Sequence, residues 1–284
     1  MIKIIVDSCS SMNLVEAKEK NIEVIPMTFE MNDKMINPLN NEIDPQEFYE
    51  KLKDHSTVVK TSCIAPQVFY DTFEKYIKDN NEVLFISLSK GLTAGFNNAV
   101  MAKEMILDEY PNAKLEIINS LSGSIGIKLV IEKAIELVNK NLSIDEIKTE
   151  LDKLASKVYS AFTIGSLYHL YRGGRLRLSS LLTGNLLRIK PIIACNNEGK
   201  LEKVATHLGS GKAMAGMVDI VVENIDNSYK DIYVGYTNNL PDAEKFVSKI
   251  KEKLPEANII LEVIDETMGC HCGPNTIAVF FIKK

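Results

Sequence analysis

IKIIVDS, residues Ile2–Ser8, is an almost unbroken apolar run that ends on a carboxylate and a hydroxyl. Such a run suits a strand buried on both faces, the environment of a parallel sheet covered by helices. SSMNLVEAKEK follows as a helix, with Ser10 or Ser11 as its N-cap, and IEVIPMTFE is a second strand. DPQEFYEKLKDH opens a helix, with Asp44 as N-cap and Pro45 at the first helical position. Past KTSCIAP, a helix is expected from Gln67 to Lys78, then the strand EVLFISLS and the helix TAGFNNAVMAKEMILDEY. The strand AKLEIINS and a long amphipathic helix, SGSIGIKLVIEKAIELVNK, continue the alternation. Strands and helices taking turns in this way predict an α/β fold whose N-terminal domain is doubly wound on a mainly parallel sheet.

After one more helix, SIDEIKTELDKLASKV, the pattern changes near residue 158. AFTIGS, KPIIACN, KLEKVAT, DIYVGYT, NIILEVI and TIAVFFIK read as strands, and NNEGK between the second and third has hairpin chemistry. These predict a C-terminal α+β domain with a mixed or antiparallel sheet and helices on one face. The division expected is 1–158 and 159–284, with a ligand cleft at the junction.

The 284 residues suffice for two cores, and the net charge of -5 gives no electrostatic reason to expect nucleic acid. No apolar run reaches the roughly 18 residues of a membrane span, and the N-terminus does not read as a signal peptide. The reducing cytoplasm is therefore expected, and the five scattered cysteines are expected to be thiols.

GSGKAMAG, Gly209–Gly216, fails the phosphate-loop pattern, because Thr206 stands where glycine is needed and Ala213 follows the lysine. It reads as a loop entering a helix. In MGCHCGPN, Met268–Asn275, the cysteines are two apart; in an extended chain they share one face and His271 takes the other. Zinc hooks normally have two residues between cysteines, so no metal is expected here. His271, set among glycines, is either satisfied by backbone carbonyls or placed to hydrogen-bond an acid. Hydroxyls mark three loops after strands or before helices: Thr61 and Ser62, Thr93, and Ser120 with Ser122. Each is an ordinary cap on its own, but helix N-termini beyond a parallel sheet also favour an anion. YRGGRLRLSS sets Arg172, Arg175 and Arg177 around two glycines, for a phosphate, a partner's acids or solvent.

Together these segments resemble the DegV family of bacterial fatty-acid-binding proteins, which includes the acyl-binding component of bacterial fatty acid kinase. The motifs VDSCSS, DPQEFYEKL, KTSCIAP, SLSKGLTAGFNNA, INSLSGSIG, YRGGRLR, GNLLRIKPII and GCHCGPNTIAV carry the resemblance in order along the whole chain. The resemblance implies a non-catalytic carrier that buries one long-chain fatty acid in a tunnel, with no cofactor. Its carboxylate would be held by Thr61, Ser62, Thr93 and His271, with Ser120, Arg172 and Arg175 as further polar or partner contacts. A separate kinase catalytic subunit is the implied partner and acyl phosphate the product; any membrane contact is expected to be transient. Two departures stand out. Ala94 and Gly95 replace the usual Gly and Thr or Ser, and Ala205 stands where a kinase-docking arginine is expected. The rival readings are a hydrolase or transferase with a Ser, Thr or Cys nucleophile, for which no sequence pattern supplies a base, and a nucleic-acid module, which the charge opposes.

Overall fold

The structure is a computed structural model that describes residues 1–176 and 189–284. Arg177 and the first half of GNLLRIKPII, residues 184–188, lie outside the described residues. Four parallel strands form the first sheet, in the order β2-β1-β6-β7: β1 (Ile2–Asp7), β2 (Ile22–Ile25), β6 (Glu82–Ser87) and β7 (Leu115–Asn119). The predicted parallel sheet is therefore present. Its helices are α1 (Leu14–Glu19), α3 (Pro66–Lys78), α4 (Gly95–Glu109), α5 (Gly126–Asn139) and α6 (Ile144–Ala155). The start of α1 departs from expectation. Asn13 is the N-cap, Ser8–Ser10 form a tight 3-10 turn, and Ser11 takes a left-handed conformation.

IEVIPMTFE is not one strand. Pro26 lacks the N–H that a continuing ladder requires, and the chain divides into β2 and β3 (Phe29–Met31) in different sheets. β3 pairs antiparallel with β4 (Lys34–Ile36) and β5 (Val59–Thr61) in a small sheet of its own. α2 (Pro45–Lys51) closes it, with Asp44 accepting from the Gln46 and Glu47 amides as the Asp-Pro start predicts.

The third sheet has the order β10-β9-β8-β13-β11-β12 and is mixed, as expected. Its strands are β8 (Val158–Thr163), β9 (Ile189–Cys195), β10 (Leu201–Leu208), β11 (Asp231–Tyr236), β12 (Asn258–Val263) and β13 (Ile277–Ile282); only β11 and β12 pair in parallel. α7 (Tyr168–Arg172) follows β8, while α8 (Ser210–Asn224), α9 (Leu240–Lys253) and α10 (Glu266–Cys272) lie later. Helices are not confined to one face. α8 and α9 pack on one side, and α5 packs on the other, touching β8 and β13 as well as β1 and β6. All six residues of β13 are buried in consequence.

α5 is thus the layer shared by two sheets, which explains a lysine in its apolar run. Lys128 keeps only 5% of its side chain exposed, and its ammonium reaches Glu16 at 2.9 Å and Glu262 at 2.7 Å. The pair ties α1 to β12 across the helix; a charge so buried persists only when it is partnered. Tyr49 makes a second tie, its hydroxyl donating to the Ile264 carbonyl at 2.7 Å.

Candidate functional site

The carboxyl ends of β6 and β7 face the third sheet across a narrow apolar slot, with about 670 Å³ of empty space when the open solvent at its mouth is included. Leu88 and Gly123 from the first sheet's loops, Phe162 and Phe280 from β8 and β13, and Met268 from α10 form its walls. Among the described residues, its basic side chains are Arg175 and His271. Alternation puts Phe162, Ala278 and Phe280 on the slot face, while Ile277, Val279 and Phe281 fill the core beneath α8 and α9.

CHC is helical, not extended, since α10 runs from Glu266 to Cys272 with Asp265 accepting from the Met268 amide as N-cap. The helix turns Cys270 into the core of the small sheet, Cys272 into the main core, and His271 toward the slot. Gly173 lets His271 sit close: a Cβ there would fall 2.3 Å from Nδ1. His271 Nε2 lies 3.0 Å from Thr61 Oγ1, so two residues 210 positions apart share one hydrogen bond. With the proton on Nε2, the imidazole donates to Thr61 and leaves that hydroxyl free to donate outward.

Burial first, and then the nearby Arg175 charge, holds the His271 pKa down to about 4, against an ordinary 6.5. His271 is therefore a neutral partner at pH 7. The unfolded chain takes up a proton near pH 6.5 and the folded chain does not, so the stabilising contribution present above pH 6.5 is lost as pH falls toward 4. Buried carboxylates work in the opposite sense, because burial raises Asp7 to about 7 and Asp265 to about 6. Their contribution is present at low pH and lost as pH rises through 6 to 7. A comparison of wild type with His271→Gln cancels that background. Relative to wild type, the variant should gain roughly 3 kcal/mol between pH 7.5 and pH 4. Equal pH slopes in denaturant unfolding would show that the imidazole titrates normally.

The other predicted residues are distributed around this pair. Ser62 lies beside Thr61 and gives its amide to the Thr28 carbonyl. Thr93 Oγ1 accepts from the Gly95 amide at 3.1 Å and lies 3.8 Å from Cys63 Sγ; like Thr61 and Ser62, it lies behind the slot wall rather than on it, and of the predicted acid-end residues only His271 lines the slot. Ser120 is fully buried, with its hydroxyl bonded to the Ser122 carbonyl, and serves its own turn. Arg172 holds the Thr57 and Val59 carbonyls at 3.0 and 3.2 Å, anchoring β5 rather than facing the slot. Arg175 reaches the slot and braces it, donating to Leu92 O and Gly173 O. Burial pushes Cys195 and Cys272 up to about 12, and Cys9 and Cys270 well above the usual thiol range, so these four are not thiolates at neutral pH. Among the described residues no group of three or more His, Cys, Asp or Glu is placed to hold a metal ion, and no helix is long and apolar enough to cross a membrane.

The family model described as "Uncharacterised protein, DegV family" matches residues 1–284. The chain belongs to the DegV family. A DegV domain-containing protein of Clostridium perfringens is 29% identical over 281 residues, covering 98% of this chain and 96% of the relative. A DegV-family crystal structure from Ruminococcus gnavus, refined with vaccenic acid, superposes with a TM-score of 0.88 at 22% identity, covering 98% of this chain and 99% of that one. DegV from Bacillus subtilis, described as a fatty acid binding protein, gives 0.85 at 24% identity over 100% and 99% of the two chains.

The DegV motifs now have physical roles. Asp7 of VDSCSS accepts from the Leu88 amide at 2.8 Å and the Cys9 amide at 3.1 Å, joining the end of β1 to the loop after β6. Ala205 lies in edge strand β10 beside a bulge, half-buried against the second core. Sequence reasoning missed His169, which is buried one turn from Arg172, and Asn98, which donates to the Ile64 carbonyl at 2.8 Å and fixes the loop after Thr61. It also missed Phe162 and Phe280 as slot walls. Strand alternation could have found those two; the other two had no signal beyond residue type.

Proposed function

We propose that this protein is a cytoplasmic carrier that binds one long-chain fatty acid in the slot and presents its carboxylate at the Thr61–His271 end. The observation that carries this reading is the apolar slot itself, with a neutral hydroxyl–imidazole pair and one arginine, Arg175, beside it. Vaccenic acid in the Ruminococcus relative and the description of the Bacillus one support the choice of ligand. A tail of about 16 carbons, at ~0.8 kcal/mol per CH₂, offers on the order of 12 kcal/mol gross, so the tail dominates affinity and the polar end sets orientation. Thr61, with Ser62 beside it, Thr93 and Arg175 complete the acid end in this reading. A separate kinase then phosphorylates the exposed carboxylate, and the chain itself supplies no catalysis.

One experiment tests both halves. Lipid extracted from purified protein should amount to one fatty acid per chain; none found, together with no uptake of added palmitate or oleate, would remove the carrier reading. The loaded protein, offered to a fatty acid kinase with ATP, should yield acyl phosphate. His271→Ala should keep the lipid and lose most of that yield, and Ala205→Arg should raise it at unchanged lipid affinity. Normal phosphorylation of His271→Ala would remove the histidine from the presenting site.

A second reading draws on the same pair. A threonine hydroxyl 3.0 Å from an imidazole has the spacing of a nucleophile and its base, a neighbour that no sequence pattern supplied. Against it, His271 Nδ1 has no hydrogen-bond partner among the described residues to orient the ring, and a pKa near 4 makes a weak base at neutral pH. Turnover of an acyl ester that disappears in Thr61→Val would favour it.

A further inference from the structure

His169 and Leu170 are neighbours on α7, yet they face different spaces. Leu170 lines the slot, and His169 lines a separate polar cavity between α7, β8, β9, α8 and α9, with about 990 Å³ of empty space when the open solvent at its mouth is included. Two of its side chains have no hydrogen-bond partner among the described residues: Thr163 Oγ1 and His169 Nδ1. Both residues are nearly sealed, at 4% and 3% exposure. Buried polar atoms are almost always paired, so two such orphans on one wall mark a place where something else bonds.

The surroundings define its charge. Lys190 lines the same cavity and spends two of its three N–H bonds on the Gly165 and Ile164 carbonyls, at 2.7 and 3.4 Å, which leaves one to give. Ser210 also lies on the wall, at the start of the 15-residue α8. That helix has no side-chain cap: Gly209, at φ +82°, takes the N-cap position, and the space around its missing Cβ is open. The first amide bonded within the helix is that of Ala213, so those of Ser210, Gly211 and Lys212 remain as donors. This is the GSGK segment that fails the nucleotide pattern. The one carboxylate on the wall, Asp242, already accepts from Asn239 at 2.6 Å and Lys245 at 3.2 Å. Lys53 and His55 add basic groups at the side of α2. Water would satisfy the two orphan atoms, but an uncapped helix end and a half-buried ammonium together favour a negative charge.

We propose that this cavity is a second ligand site, separate from the lipid slot, that takes a tetrahedral oxyanion of the phosphate class, free or as a monoester. Thr163, the third Lys190 N–H and the first amides of α8 are its donors. The site stands whether or not the slot holds a fatty acid, since Thr163, His169, Lys190 and Ser210 do not line the slot.

Titration of the full chain with inorganic phosphate, against chloride at equal ionic strength, tests it by calorimetry and by melting temperature. Saturable binding to wild type is expected, weakened about tenfold or more in Lys190→Gln and in Thr163→Val. Lys190→Arg should retain it, and the exposed-site control Lys249→Gln should bind as wild type does. Glycerol phosphate as a second probe distinguishes the source: competition with inorganic phosphate admits monoesters, and its absence restricts the site to the free ion. Lipid content, measured in parallel by mass spectrometry, should be the same in all variants, which separates failure here from failure of the carrier reading. No saturation beyond the chloride control, or equal binding in Lys190→Gln and Thr163→Val, overturns the proposal. If either variant does not fold, the wild-type comparison and the other variant decide.

Discussion

Gly123→Leu is expected to lower the fatty acid retained by the purified protein about 100-fold. Gly123 lies on the slot wall, and a Cβ built there points at side-chain ends: Leu88 Cδ1 at 2.9 Å, Met268 Cε at 3.0 Å and Leu92 Cδ1 at 3.4 Å. Those tips are flexible enough to move, and the direction open to them is the slot. Four added carbons displace about as many CH₂ groups of a tail, or about 3 kcal/mol at 0.8 kcal/mol each. The backbone at Gly123 is outside the left-handed region, so the substitution should fold. Mass spectrometry of variant and wild type prepared side by side measures the effect. A folded Gly123→Leu that keeps its full complement of lipid would show that the tail lies elsewhere.

The second large effect is at the polar end. Thr61→Val removes the hydroxyl that His271 touches, and Thr93→Val removes one two residues before α4. A hydrogen bond to a charged group is worth about 1.5–3 kcal/mol, so the double variant should bind a fatty acid roughly 100-fold or more weakly. The two positions are not equivalent. Thr93 Oγ1 also accepts from the Gly95 amide at the entrance to α4, a turn bond worth about 1 kcal/mol, whereas Thr61→Val strands the buried His271 Nε2, so Thr61→Val should lower the melting temperature of lipid-free protein more than Thr93→Val does. Unaltered affinity in the double variant would reduce both hydroxyls to local structure.

The alternation of apolar runs and helical segments was legible because it is local. A strand buried on both faces has to be apolar throughout, and IKIIVDS and EVLFISLS declare themselves as such. The Asp44-Pro45 helix start and the Asn-Asn-Glu-Gly-Lys hairpin were equally plain, since each depends on a few adjacent residues. The family motifs also brought Thr61 and His271 into one hypothesis before any contact was visible.

Where local preference and long-range packing disagree, the sequence alone chose wrongly. Phe29–Met31 has the alternation of a continuing strand, yet Pro26 ends the ladder and the segment pairs with residues around Val59, which no window around it contains. Cys270-His271-Cys272 alternates like a strand as well. It is helical because Asp265 caps the turn and because Cys270 and Cys272 find separate cores on different sides of α10. α5 between two sheets, Lys128 bridging Glu16 and Glu262, and the slot itself all join separate segments of the chain, in the case of Lys128 more than 100 positions apart. Such contacts carry no local signature, because a side chain's surroundings in a core are set by whichever distant segment fills the remaining volume. Thus the sequence alone determined the kinds of element and the chemistry of the candidate residues, while only the tertiary structure decided that His271 meets Thr61 and that Thr163 and Lys190 line one cavity.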